Sequence, residues 1–381
     1  MKITGIICEY NPLHLGHKKQ LSHIRQLEPD GGIVCLMSGS FVQRGAPAIF
    51  NKAVRAKAAI LSGADLVLEL PVTAALSSAE GFASKGIRIL SGFCDTLCFG
   101  AETADKALLM NTAQALLSPG FADALRAQLD KGLSFPAARQ AALKSMGREG
   151  SILSQPNNIL AVEYCKAILA QNSAMEPMPI LRGGDYHDTQ INEEDPSATA
   201  LRSLLTAGQP WQALVPPEAV GCFENAAVHT LQEGEKAILY RLRTMTDEEF
   251  EALPYGSEGL WRKLMHASRS EISLEAILEA TKSKRYTRTR LDRMVMCAFL
   301  GITKELLESP VPYARILAFN DKGRQILKTA KEAVPLYNIG ENVDHPYQEL
   351  ETRCGDLYGL FTRGGIEEPG SEKKQRVFYL A

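Results

Sequence analysis

The feature that most constrains this chain is an alternation between short apolar runs and helical periodicity in its N-terminal part. Residues Ile3–Cys8, 32–37, 65–70 and 96–99 are almost continuously apolar and rich in β-branched side chains, as strands covered on both faces are. Between them, residues 17–26, 51–61 and 78–90 repeat apolar side chains every three or four positions, with Gly63 placed to stop the second. Strands and helices alternating in this way predict an α/β fold, a doubly wound parallel sheet.

Further along, residues 104–171 read as helical, interrupted at Gly120 and Pro156, and residues 179–182 read as one more short strand ended by Gly183, Gly184 and Asp185. A polar stretch over 189–196 precedes a helix at 197–205, which Ser197 or Thr199 would cap. Pro210, Pro216 and Pro217 make 208–217 the best linker, followed by helices through Glu308 and a mixed C-terminal segment. At roughly 150 residues per domain, a 381-residue chain accommodates two: residues 1–207, and a mainly helical region over 208–381.

Composition narrows the function classes. Apolar residues at 45% and charged residues at 23% fit a globular protein and exclude disordered and fibrous classes. Forty-two Lys and Arg against 44 Asp and Glu leave a formal charge of −2, which excludes a uniformly basic nucleic-acid coat and leaves room for a local patch. No apolar signal segment precedes Ile3 and no run approaches the roughly 18 apolar residues of a membrane span, so the expectation is a cytoplasmic protein without membrane attachment. The 8 cysteines lie scattered, several within apolar runs, which suits reduced core thiols. Cys94 and Cys98 lack a second Cys or His pair at zinc spacing, and no metal site is expected.

The sharpest motif turns directly from the first strand into a helix: Glu9-Tyr10-Asn11-Pro12-Leu13-His14-Leu15-Gly16-His17, a His-x-Gly-His. At the carboxyl end of a parallel strand, such a loop lies where ligands of these folds bind, and the helix that follows directs unpaired N–H groups at an anion. Phosphate is the natural guest. Gly16 admits close backbone approach, and His14 and His17 offer donors that can follow charge developing on phosphorus. The alternative is that the two histidines only cap and orient the helix; zinc would require a third ligand that the spacing does not supply. After the second strand, Gln43, Arg44, Lys52 and Arg55 are candidates for gripping phosphate or substrate, the alternative being a solvated charged face. A basic segment, Lys282, Lys284, Arg285, Arg288, Arg290 and Arg293 with Tyr286 among them, suits RNA, its cations contacting phosphates and the ring stacking on an unpaired base. The alternative there is a basic helix paired with acids such as Glu275 and Glu279.

The N-terminal half resembles the HxGH nucleotidyltransferase superfamily. The blocks Glu9 to His14, Ser38 to Ala48, Gly63 to Pro71 and Phe99-Gly100-Ala101-Glu102 together resemble the bacterial tRNA(Met) cytidine acetate ligase family, with further likeness at 155–160, at Leu181-Arg182 with Tyr186-His187-Asp188, and at 284–290. The resemblance implies an enzyme that adenylates acetate with ATP and passes the acetyl group to N4 of the wobble cytidine of elongator tRNA(Met). It implies His14 and His17 as catalytic residues. ATP would be held by Ile7, Cys8, Glu9, Tyr10, Asn11, Pro12, Leu13, His14, Leu15, Gly16, His17, Lys18, Lys19 and Gln20, together with Gly100, Asn158, Arg182 and Gly183. Ser197, Thr199 and Arg202 resemble the late phosphate-binding helix start of adenylyltransferases. Residues 1–207 would then be the catalytic ATP-binding domain and 208–381 the tRNA-binding one, with Mg²⁺ accompanying the nucleotide, acetate as small substrate and no obligate protein partner. Two other readings remain open: an adenylyltransferase of cofactor biosynthesis, and a non-catalytic, ATP-sensing tRNA-binding protein.

Overall fold

The computed structural model describes residues 1–182, 197–330 and 333–381. The chain begins with β1 (Ile3–Cys8), α1 (Leu15–Leu27), β2 (Gly32–Ser38), a small hairpin of β3 (Phe41–Val42) and β4 (Ala46–Pro47), α2 (Lys52–Leu61), β5 (Leu66–Leu70), α3 (Val72–Ala75), α4 (Ala79–Leu90) and β6 (Thr96–Ala101). Helices α5 (Lys106–Leu117), α6 (Pro119–Leu129), α7 (Phe135–Ser145) and α8 (Pro156–Ala170) lead to β7 (Glu176–Leu181). The parallel strands run in the order β5-β2-β1-β6-β7. Because the chain order reverses between β1 and β6, the carboxyl ends of these two strands flank a crevice.

Side-chain alternation explains why the sheet is covered twice. Val34, Leu36, Leu66 and Leu68 face one buried cluster with residues of α4, α5 and α8, while Ile33, Cys35, Met37 and Val67 face another with α1 and α2. Side chains cap the helices: Asn51 Oδ1 accepts from the Ala53 N–H at 2.9 Å, and Ser78 accepts from Gly81. Gly63, at φ +113°, ends α2 in a conformation few other residues adopt. Strand β7 starts at Glu176 rather than 179, its prolines Pro177 and Pro179 tolerated because it pairs on one side only, with β6. All cysteines are free, and each except Cys222 is buried.

The second half contains α9 (Ala198–Ala207), α10 (Pro217–Glu224), α11 (Leu231–Thr244), α12 (Asp247–Glu251), α13 (Leu260–Ser270), α14 (Leu274–Thr281), α15 (Arg288–Leu300) and α16 (Lys304–Glu308). Then come β8 (Ala314–Asn320), α17 (Asp321–Thr329), β9 (Leu336–Asn338), α18 (Tyr347–Tyr358), α19 (Ser371–Lys374) and β10 (Phe378–Leu380). Leu242, Phe250, Leu264, Leu278 and Leu291 anchor a third core among the helices. This half is mainly helical, as expected, but it also returns to the first sheet. Strand β8 pairs antiparallel with β5, and β9 and β10 pair parallel with β8.

Packing does not break at 207/208 either. Phe223 of α10 stacks on Phe50, with ring centroids 4.9 Å apart, and Leu214 and Val215 share the core beneath α2. The prolines of 208–217 shape turns, while the apolar residues between them need burial and find it on the N-terminal sheet layer. No helix among the described residues is long and apolar enough to cross a membrane.

Candidate active site

Where β1 ends, the chain turns through Tyr10, held at φ +42°, an uncommon conformation for a residue with a side chain. His14 is the N-cap of α1. Its Nδ1 accepts from the Gly16 N–H at 3.1 Å, while His17 Nδ1 accepts from the His14 N–H at 3.3 Å, so two imidazoles make a reciprocal capping box. With both Nδ1 atoms accepting, each neutral ring carries its proton on Nε2. The rings lie 3.8 Å apart, and His14 Nε2, although buried, has no hydrogen-bond partner. Burial, followed by the charges of Arg182 and Arg202, lowers His14 to about 3; burial, then His14 and Arg182, holds His17 below its usual range. Both rings are therefore neutral N–H donors at physiological pH. The capping reading of the pair is met by the two Nδ1 atoms, and His14 Nε2 is left over for another partner.

These rings border a cavity of ≈ 1180 Å³ in the crevice between β1 and β6. That exceeds the roughly 300–1,000 Å³ of an ordinary small-molecule site, leaving space for a second substrate. Among the described residues, Lys19, Arg44, Arg182 and Arg202 line it, against one carboxylate, Glu9. This imbalance favours a polyanion. Arg202 Nη1 donates to the Asn11 carbonyl at 2.8 Å and Nη2 to Thr199 Oγ1 at 3.1 Å, tying α9 to the His-x-Gly-His loop. Ser197 caps α9 by accepting from the Ala200 N–H at 3.0 Å.

Ile7, Cys8, Tyr10, Asn11, Gly16, Gln20, Gln43, Gly100 and Thr199 also line the cavity. Gly100, in β6, leaves its Cβ position open: beyond its chain neighbours, no atom of the described residues is nearer than 3.8 Å. Leu13 is instead packed in the core beneath the loop. Lys18 points away, donating to the Ser62 carbonyl and pairing with Glu218 at 2.6 Å. Pro12 and Leu15 shape the turn without lining the cavity. Gly183, Tyr186, His187 and Asp188 lie outside the described residues.

Three expectations are corrected. Lys52 does not reach the cavity: its ammonium is buried between Glu69, at 2.8 Å, and Glu372, at 2.6 Å. Burial would lower it, but the carboxylates of Glu372 and Glu69 outweigh that and keep it charged. Arg55 is fully buried and donates to the carbonyls of Phe50, Glu9, Ser38 and Gly39, bracing the loop from behind. Asn158 bonds Thr103 on the far side of the β6 turn, and its neighbour Asn157 lines the cavity, its Oδ1 accepting from Arg182 Nη1 at 3.4 Å. Sequence reasoning missed the contribution of the second half, where His229, Thr230, Leu231 and Gln232 reach the cavity at the start of α11.

In the basic segment, Arg285 pairs with Glu258, Lys282 with Glu279, and Arg288 with Glu275, Glu279 and Asp292. Arg285 lies before the start of α15. Arg290 donates to the Tyr255 carbonyl and covers the Tyr286 ring at 4.7 Å, and Lys284 is exposed. Three of the six cations, Lys282, Arg285 and Arg288, are thus paired with acids.

The family described as HIGH Nucleotidyl Transferase matches residues 1–373. The chain belongs to that family. Its sequence is 36% identical to the tRNA(Met) cytidine acetate ligase of Acetivibrio thermocellus, with both chains covered completely. It is 37% identical to that of Clostridium tetani over 95% of this chain and 96% of the relative. Among solved structures, Thermotoga maritima TmcAL without ligand superposes with a TM-score of 0.90 at 28% identity over the whole of both chains. The same enzyme bound with alpha-thio ATP gives 0.88 over the whole of both chains.

Proposed function

We propose that this chain is a tRNA(Met) cytidine acetate ligase: it activates acetate with ATP and transfers the acetyl group to N4 of the wobble cytidine of elongator tRNA(Met). The observation that carries the reading is the pair of neutral imidazoles, with an unused Nε2 on His14, beside a cation-lined cavity large enough for a nucleotide and a second substrate. The names of full-length relatives support the acceptor. The alpha-thio ATP in the Thermotoga maritima structure supports the nucleotide.

In the first step an acetate oxygen attacks the α-phosphorus; the new O–P bond forms as the bond to pyrophosphate breaks. His17 and His14 donate toward the phosphate oxygens as their charge grows, and Arg182, Arg202, Arg44 and Lys19 supply fixed positive potential. In the second step N4 attacks the acetyl carbonyl, AMP departs with the electrons of the broken C–O bond, and N4 gives up a proton. No protein nucleophile is required. Mg²⁺ would enter with the triphosphate. Among the described residues no three His, Cys, Asp or Glu side chains gather to hold a metal, so phosphate oxygens and water would supply its ligands. Residues 1–207 would do the activation and the second half would present the RNA, in the cytoplasm where the tRNA is.

The test is incubation with ATP, labelled acetate and a tRNA pool, followed by locating the label. Recovery as N4-acetylcytidine in tRNA(Met) is expected; an adenylylated small molecule, or unconsumed ATP, would sink the reading. Replacing His17 by Ala should lower acetate-dependent pyrophosphate release by about 10² to 10³.

A further inference from the structure

One face of α11 leads out of the cavity onto open surface. Gln232, in the first turn, lines the cavity and is exposed. Lys236, Tyr240 and Arg243 follow at spacings that keep them on the same side of the helix. At about 1.5 Å per residue, Tyr240 stands about 12 Å along the axis from Gln232. Tyr240 is 71% exposed, and neither its hydroxyl nor the Lys236 ammonium has a partner among the described residues. Arg243 donates only to the Glu271 carbonyl, at 3.1 Å, and Glu235 accepts from the Leu274 N–H at 2.7 Å, so the turn between these residues lies along α11. That turn presents Ile272, 86% exposed, beside the stripe. Glu233 borders it as an exposed acid.

The contrast with 282–293 is chemical. There a phosphate must displace Glu258, Glu275 or Asp292 from the arginines, and a base must displace Arg290 from Tyr286. On α11 the Lys236 ammonium and the Tyr240 ring are already available, and Arg243 is held by a carbonyl rather than by an acid. An RNA loop that sends one nucleoside into the cavity must leave that nucleoside's neighbours on the surface next to the opening, and α11 begins there. An exposed aromatic flanked by cations is how proteins hold unpaired nucleotides.

We infer that the Lys236–Tyr240–Arg243 stripe docks the single-stranded RNA flanking the acceptor nucleoside, Tyr240 stacking on an unpaired base and the two cations contacting phosphates. The inference rests on the function proposed above, and its test separates the two. The triple variant Lys236→Ala, Tyr240→Ala, Arg243→Ala changes only exposed side chains. Binding of unmodified tRNA, measured by filter retention across a salt series, reads the surface and needs no chemistry; RNA-free, acetate-dependent pyrophosphate release reads the proposed reaction. The triple variant should bind tRNA at least about tenfold more weakly, with a salt slope reduced by roughly one to two, and release pyrophosphate as the wild type does. Tyr240→Phe, which keeps the stacking face, should bind normally. Unchanged tRNA affinity and salt slope in the triple variant would overturn the inference, the more so if Arg288→Ala with Arg290→Ala weakens binding. Absence of pyrophosphate release from the wild type would overturn the reaction while leaving the binding result to decide the surface.

Discussion

Arg293 donates from Nη1 to the main-chain carbonyl of Gln43 at 3.3 Å. In the same turn, a Cβ on Gly45 would lie 2.4 Å from the Arg293 nitrogen, so α15 is pressed directly against the β3–β4 hairpin. The hairpin in turn meets the signature loop, the Gln43 N–H donating to Glu9 Oε1 at 2.9 Å, and Gln43 and Arg44 line the cavity. Arg293, which the sequence groups with RNA-binding residues, is thus positioned to hold the rim of the cavity. Arg293→Met should reduce RNA-free pyrophosphate release by about tenfold, the scale of one lost charge-assisted hydrogen bond, with the tRNA salt slope unchanged. Weakened tRNA binding with normal pyrophosphate release would return Arg293 to the RNA.

Lys52 should prove structural. It joins α2 to β5 through Glu69 and to α19 through Glu372, while Arg315 bridges the same Glu372 and Glu351. Lys52→Met leaves the buried Glu69 carboxylate without its cation and Glu372 with Arg315 alone, an effect worth about 3–5 kcal/mol, to be read from urea denaturation. Pairing it with Glu69→Gln should recover part of the loss. Turnover per folded molecule at saturating ATP should stay near that of the wild type; a specific rise in the KM for ATP would restore the phosphate-binding role.

What was legible in the sequence follows from the range of the forces involved. Strands such as Ile3–Cys8 and the helices read over 51–61 and 78–90 are local features, set by neighbouring residues, and they stand where the pattern puts them. The His-x-Gly-His loop is local as well. Roles that depend on distant partners were hidden. A lysine destined for Glu372 reads the same as one destined for phosphate, and β8 shows an apolar run whose partner β5 lies far earlier in the chain. Asn157 and Asn158 differ by one helical step, about 100° of rotation; that step decides which faces the cavity, and no periodicity argument fixes it from two adjacent asparagines.

Gly100 offers a test of the nucleotide's place that leaves the protein intact. Among the described residues its Cβ would meet only Arg182, at 3.8 Å, an ordinary contact, and β-branched residues suit a strand. Gly100→Val should therefore fold with nearly unchanged thermal stability. Its side chain would occupy the cavity space next to β6, and the KM for ATP should rise about tenfold or more, the effect of losing about 1.4 kcal/mol of binding. Unaltered ATP kinetics would place the adenosine elsewhere.

The neutral state of the imidazole pair has a consequence for stability. An unfolded histidine titrates near 6.5, whereas folded His14 is lowered to about 3, by burial first and then by Arg182 and Arg202. Between those values the unfolded chain binds a proton that the folded chain refuses. Stability present in full above about pH 6.5 must then fall as the pH drops through that window. Glu351 acts in the opposite sense: burial, then the charge of Glu69, raises it to about 7, so the folded chain keeps a proton there that the unfolded chain loses. A variant separates the two. His14→Asn keeps an N-cap acceptor for α1 and removes the titrating ring. In urea denaturation from about pH 7.5 to about pH 5.5, the wild type should lose more stability than the variant, the slopes differing by up to about 1.4 kcal/mol per pH unit. Equal slopes would mean that folded His14 accepts a proton, and it would then no longer be a neutral donor. A bound triphosphate should make protonation easier by placing negative charge beside the ring, so a slowly hydrolysed ATP analogue should flatten the wild-type slope and leave that of His14→Asn less affected.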